Sequence, residues 1–221
     1  MKRHSRKILV LIVVMAFVFT AAQAEALDTV VGETEVRLEA ERENIRTRET
    51  TLGNLIADIM REKSGADVAI TNGGGIRHSV PAGDITLEDV LEIHPFENEL
   101  VTVELTGAEI IEVIEHGVSQ WPDDWGGFPH VSNLRFSFNP LNEPGQRVHQ
   151  VWYEGEEIDP EATFVVATND FLAEGGDDYP VFGDKERIET FEALDRVIID
   201  YLGEHSPVSP RIEGRIIGTF K

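Results

Sequence analysis

Apolar positions recur at helical spacing in LGNLIADIMREK, residues 52 to 63, where Leu52, Leu55, Ile56, Ile59 and Met60 share one face behind the candidate caps Thr50 and Thr51. The spacing predicts an amphipathic helix. In ADVAITN, 66 to 72, the apolar residues form a short run that ends in three glycines, which reads as a buried strand delivering a loop whose backbone can take torsions closed to other residues. Thr86 with Asp89, and Thr106 with Glu109, are capping-box pairs opening helices over about 87–93 and 107–116, the second stopped by Gly117. Between them VTVEL, 101 to 105, alternates like a strand. Leu134, Phe136 and Phe138 alternate, PGQ at 144 to 146 turns, and RVHQVWYEGEEI reads as the returning strand of an antiparallel hairpin. FVVAT, 164 to 168, is a further strand running into a second Gly-rich loop, FLAEGGDDY at 171 to 179. TFEALDRVIIDYLGEH, 190 to 205, predicts a terminal helix with Phe191, Leu194, Val197, Ile198, Tyr201 and Leu202 on its apolar side, and RIEGRII closes the chain as a last strand. Helices interleaved with hairpin and crossover strands predict a layered, mixed-sheet α/β (α+β) domain without internal repeats.

The N-terminus breaks this pattern. MKRHSRK is basic, and the apolar run that follows, Ile8 to Ala22, is too short and too abruptly ended to span a bilayer comfortably. Ala22 and Ala24 flank Gln23 in a small-residue cleavage pattern, so residues 1–24 read as a signal peptide and 25–221 as one domain; a membrane-anchored N-terminus is the alternative. The processed chain is expected in the periplasm or outside the cell, with no membrane contact after cleavage. There is no cysteine, which excludes disulfides and leaves stability to a packed core.

Charge narrows the partners. Forty-one acidic residues against nineteen Lys and Arg give a formal charge of −22, and Lys2, Arg3, Arg6 and Lys7 fall in the leader, so the remainder is four units more negative. Nucleic acid and anionic membranes are therefore excluded as expected partners. An anionic ligand would be repelled unless clustered arginines reversed the field locally, since salt screens charge only over about 8–10 Å.

Three groupings could bind such a ligand. Arg42, Arg46 and Arg77 could form an anion site, because a guanidinium offers a planar fork to phosphate oxygens and Gly73, Gly74 and Gly75 could turn backbone N–H groups toward the same charge. Surface arginines paired with Glu41, Glu43 or Glu49 are the plainer reading. Phe96 and Phe171 could sandwich a flat base, or be core residues. Asp177, after Gly175 and Gly176, could accept hydrogen bonds from a ribose diol, or form a turn. Catalytic groupings are missing: His78, His94, His116, His130, His149 and His205 stand in no HxH, DxH or HExxH context, there is no GxSxG, and Ser132 has no evident base.

Taken in order and spacing, LGNLIAD (52–58), ITNGGGIR (70–77), the GDIT turn (83–86), PFEN (95–98), VELTG (103–107) and NDFLAEGGDDY (169–179) resemble the C-terminal domain of the 5'-nucleotidase family, which includes bacterial UDP-sugar hydrolases and animal ecto-5'-nucleotidases. The resemblance implies a layered mixed-sheet domain that binds the nucleoside part of a nucleotide and offers the phosphate to a separate metallophosphoesterase domain holding two metal ions. It implies phosphate-side roles for Arg46, Arg77 and Arg42, stacking for Phe96 and Phe171, polar contacts for Asn72 and Asn98, and ribose binding for Asp177, with Gly75 and Gly175 shaping the loops. Glu97 and Asp178 stand where glycine is common, adding negative charge and bulk beside an anion site. The leader runs almost directly into the region that follows the interdomain linker in the family. No cofactor is therefore expected on this chain, which is expected to be inactive alone and to work with a separate metallophosphoesterase chain carrying the divalent metal pair. A stand-alone nucleoside or nucleotide binder and a degenerate structural domain are the alternatives.

Overall fold

The computed structural model of the chain describes residues 26–220, so the signal peptide read at 1–24 lies outside the described residues. Its strands are β1 (Val30–Thr34), β2 (Val68–Asn72), β3 (Gly83–Thr86), β4 (Glu99–Thr106), β5 (Pro129–Ser132), β6 (Leu134–Phe138), β7 (Val148–Tyr153), β8 (Glu156–Glu157), β9 (Thr163–Asn169), β10 (Arg187–Ala193) and β11 (Ile216–Gly218). The α-helices are α1 (Arg42–Ile45), α2 (Thr51–Ser64), α3 (Leu87–Ile93), α4 (Gly107–Gly117), α5 (Asp170–Ala173), α6 (Pro180–Gly183) and α7 (Leu194–His205). Five strands form the central sheet in the order β10-β4-β9-β2-β5, in which β9 and β2 are parallel and every other pairing is antiparallel. A second sheet runs β11-β6-β7-β8, and β1 pairs with β3. The expected mixed sheet is present.

Alternation along the central strands separates two cores. Val68 and Ile70, Val101 and Val103, and Val166 enter one hydrophobic cluster with Ile110, Val113 and Ile114 of α4 and Phe136 and Phe138 of β6. Ala69, Leu100 and Ala167 enter the other, with Leu52, Ile56, Ile59 and Met60 of α2 and Leu194, Ile198 and Leu202 of α7. The layers are thus helices, sheet, then helix and second sheet. Local signals set the helix ends: Thr50 accepts from Gly53 N at 3.0 Å, both capping boxes close, and α2 stops at Gly65 with φ +67°.

Three sequence expectations change. The helix expected from residue 190 begins at Leu194, because Arg187–Ala193 pairs as β10 along the otherwise open edge of β4, where its backbone groups find partners. GDIT, expected as a turn, is β3. The last strand shortens to Ile216–Gly218, parallel to β6, and the segment before it is a strap: Glu49, buried, accepts from Glu213 N at 2.7 Å and Arg215 N at 2.9 Å, while the Arg215 guanidinium straddles Asp58 at 2.7 and 2.8 Å.

His130 on β5 lies wholly buried over α2, its Nε2–H donating to Ile45 O at 2.7 Å, and a Cβ on Gly53 would come within 2.0 Å of its ring. This close approach is why a glycine is tolerated inside α2. Burial pushes the His130 imidazole down from 6.5 to about 4. Because the folded-state value is depressed, its contribution to stability is complete above about pH 6.5; it shrinks as pH falls and the unfolded chain alone takes up the proton, at up to about 1.4 kcal/mol per pH unit, until about pH 4. Thermal denaturation of the wild type and His130→Gln between pH 7.5 and 4.5 is expected to show the steeper loss in the wild type; parallel curves would contradict this assignment.

Candidate functional site

Parallel neighbours β2 and β9 leave the central sheet at the same edge, and each runs straight into a glycine-rich turn: Gly73–Gly75 after β2, and α5 followed by Gly176–Asp178 after β9. The segment between α3 and β4 closes a third side, tied to the second loop where Asn98 Nδ2 donates to Asp170 Oδ1 at 2.8 Å. The fourth side is the loop ahead of β5. Between them lies a cavity of about 720 Å³. The first loop lines it with Asn72, Gly75 and Arg77, the α3–β4 segment with Phe96, Glu97 and Asn98, the second loop with Phe171 and Asp177, and the turn after α1 with Arg46.

The glycines act differently from the sequence expectation. None of Gly73, Gly74 and Gly75 takes a positive φ. Gly73 and Gly74 are needed because backbone lies against backbone: a Cβ on Gly73 would come 2.3 Å from Ile45 O, and one on Gly74 would come 2.8 Å from Gly126 Cα. Their N–H groups are not both turned to an anion either, since Gly73 N donates to Phe128 O at 2.8 Å and Gly74 N to Gly126 O at 2.7 Å. In the second loop, the Phe171 ring lies on Gly176, where a Cβ would stand 2.6 Å from it.

Phe96 and Phe171 are each 42% exposed, which settles against the core reading for both. Arg77 donates to Gly74 O at 3.2 Å and its guanidinium lies 5.8 Å from the centre of the Phe96 ring. Beneath, the buried His94 ring donates from Nδ1 to Phe96 O at 3.2 Å, and burial lowers its pKa. Arg46 is buried and donates to Asp124 O at 3.0 Å. Burial, with the like charges of Arg42 and Arg77 adding to it, holds the Arg46 guanidinium below its ordinary value. Cations brought together in this way are stabilised by an incoming anion. Arg42 itself is exposed, is ion-paired with Asp124 and does not line the cavity. The acid paired with Arg42 is therefore Asp124 rather than Glu41, Glu43 or Glu49, and Arg46 meets the same residue through its carbonyl.

An amide relay aims Asp177. Asn169 Oδ1 accepts from the Leu172 backbone N–H at 2.9 Å, which fixes its amide so that Nδ2 donates to Asn72 Oδ1 at 3.1 Å. Asn72 Nδ2 then faces Asp177 Oδ2 at 2.7 Å. Gly175, at φ +84°, shapes the turn without lining the cavity. Of the two departures from the family pattern, Glu97 lines the cavity, whereas Asp178 is exposed outside it. Asp177 and Asp178 both adopt left-handed torsions, φ 50° and 55°.

Sequence reasoning missed Asp124 and Gly126. The signal present was the glycine pair in DDWGGF, 123 to 128, but nothing local ties that segment to Arg42 and Arg46, more than seventy residues earlier. Among the described residues no group of three or more His, Asp or Glu side chains is gathered to hold a metal ion, and no helix is long and apolar enough to cross a membrane.

Fold and cavity define a member of a known class: the chain belongs to the 5'-nucleotidase C-terminal domain family, whose model matches residues 30–184. It is 43% identical over 203 residues to the trifunctional nucleotide phosphoesterase protein YfkN of Bacillus subtilis, covering 86% of this chain and 14% of that protein. It is 35% identical over 183 residues to Protein UshA of Escherichia coli, covering 82% of this chain and 32% of that protein. Among solved structures it is similar to the 5'-nucleotidase precursor from Thermus thermophilus, with a TM-score of 0.86 and 38% identity over 92% of this chain and 42% of that one. The chain thus spans a third or less of the length of these curated relatives.

Left-handed torsions in non-glycine residues cost about 1 kcal/mol, somewhat less for aspartate. Asp178→Gly is therefore expected to raise stability by about 0.5–1 kcal/mol, roughly 1–4 °C in melting temperature for a domain of this size, as read by calorimetry. A lowered melting temperature would show that the Asp178 side chain contributes more than its backbone costs.

Proposed function

We propose that this domain is the substrate-recognition part of a secreted nucleotide hydrolase, binding the nucleoside and offering its phosphate to a dimetal centre on a separate metallophosphoesterase chain, in the periplasm or outside the cell. The observation that carries the reading is the cavity itself: two half-exposed phenylalanines, two arginines and a hydrogen-bonded aspartate converge on about 720 Å³, room for one nucleotide. Phe96 and Phe171 take the base by stacking. Asp177, held by Asn72, accepts hydrogen bonds from the ribose hydroxyls. Arg46 and Arg77 meet the phosphate at short range, where a guanidinium fork outweighs the more distant negative charges of a chain of formal charge −22. Asn98, whose amide donates to Asp170, holds the aromatic segment against the second loop. Bond cleavage is not assigned to the described residues, whose acids and histidines gather no metal site.

Calorimetric titration with adenosine, AMP and a UDP-sugar tests the reading. Phe171→Ala is expected to weaken adenosine and AMP alike by about tenfold or more, the range of one lost base–aromatic stack. Arg77→Met is expected to weaken AMP by about tenfold and leave adenosine within about threefold, because only the charge-assisted contact is lost. Phosphate release with Mn²⁺ is expected only when a metallophosphoesterase chain is added. Turnover by the purified domain alone overturns the split arrangement, saturable binding that never supports turnover favours a stand-alone binder, and no saturation by any ligand indicates a degenerate pocket.

A further inference from the structure

We infer that His116 is a positioning residue, holding Asp177 in the orientation that reads a ribose diol; the inference rests on the proposed role of Asp177 and adds the device that aims it. Two consecutive left-handed aspartates are strained, and such a turn persists only where its surroundings over-determine it. The Asn72 amide fixes one oxygen of the Asp177 side chain. The backbone is held by a separate contact, where His116 Nε2, in the last turn of α4, lies 2.9 Å from Asp177 O. A carbonyl only accepts, so Nε2 carries the proton there.

The ring that makes this bond is itself clamped. It meets Tyr179 edge-on at 4.4 Å and Trp125 at 5.2 Å, and these two rings stack on each other at 6.3 Å. Tyr179, buried, donates its hydroxyl to Gly127 O at 2.6 Å, and burial raises its pKa, keeping the phenol a donor. A Cβ on Gly117 would come 2.5 Å from that hydroxyl, so the glycine after His116 makes room for it. The clamp joins α4, the second glycine loop and the loop of Gly126, where an added Cβ would stand 3.4 Å from the Asp177 carboxylate. None of these aromatic side chains lines the cavity; they act on the ligand only through where they put Asp177.

The test compares adenosine with 2',3'-dideoxyadenosine, which keeps the base and loses the diol. The wild type is expected to prefer adenosine by about tenfold or more, as for hydrogen bonds to a charged acceptor. His116→Phe keeps a ring between Tyr179 and Trp125 but has no donor, and is expected to bring the ratio within about threefold of unity while dideoxyadenosine binds as before. His116→Gln carries an amide donor to about the place of Nε2 and is expected to restore the preference. A wild-type ratio in His116→Phe, or a lost ratio in both variants, overturns the inference while leaving nucleoside binding intact. Should His116→Phe not melt cooperatively, Tyr179→Phe, which deletes only the hydroxyl on Gly127, is expected to lower the ratio by about threefold or more, and an unchanged ratio overturns the inference. Failure of the wild type to saturate with adenosine overturns the parent reading and this one together.

Discussion

Because β2 and β9 run parallel as neighbours, Val68 opposite Val166 and Ala69 opposite Ala167, both strands leave the sheet on the same side, and their two glycine loops meet over one edge. Parallel neighbours cannot be joined by a tight turn, so the 90 residues between them, 73–162, fold over both faces of the sheet and supply further walls. The α3–β4 segment brings the aromatic wall and the loop ahead of β5 brings Asp124 and Gly126. A ligand crevice beyond the carboxyl ends of adjacent parallel strands is where open α/β sheets place one. The register matters as much as the direction, since Ala69 and Ala167 present small side chains to α2 and the larger valines face α4.

Close approach is the second constraint. Gly73 against Ile45 O, Gly74 against Gly126 and Gly176 under Phe171 all mark places where a methyl group has no room. Each contact joins segments that a ligand wall requires to be close, and each carries or borders a cavity residue. The first loop is thereby locked by backbone hydrogen bonds to the loop ahead of β5, leaving Arg77 as its long, exposed side chain. Rigid backbone with one long charged side chain is an economical way to present a guanidinium.

Legibility in the sequence followed the range of the interaction. Caps at Thr50, Thr86 and Thr106 lie within three residues of their partners, and the local pattern is enough to find them. The apolar runs of β2 and β9 are legible because most of their side chains are buried, and β4 is legible from the alternation in VTVEL. Residues 190–193 fit a helix by pattern alone, since Phe191 suits either period and only the unpaired edge of β4, ninety residues away, decides for a strand. Eight of the ten candidate site residues line the cavity, while Arg42 is drawn off by Asp124 and Gly175 turns the chain behind the wall. What the sequence could not reveal is the partner loop: no local pattern marks Asp124 as the acid of the arginine cluster, or His116 as the neighbour of Asp177 sixty-one residues on.

The charges lining the cavity bear on how selection could work in so acidic a chain. Arg46 and Arg77 are matched there by Glu97 and Asp177, and Arg42 by Asp124, so the lining is formally neutral and exerts little net pull on an anion. Recognition must then depend on position. A guanidinium in general forks onto anionic oxygens at about 2.7–2.9 Å, and inside a partly enclosed site the nearest charge outweighs a distant one of opposite sign. Glu97 matters on this argument in a way that Asp178 does not. Asp178 faces solvent, where salt screens it beyond about 8–10 Å. Glu97 lines the cavity next to Phe96, over whose ring the Arg77 guanidinium lies at 5.8 Å, so acid and arginine stand on the same aromatic segment. With glycine at 97 the lining would carry one net positive charge from Arg46, Arg77 and Asp177, and Glu97 brings it to zero.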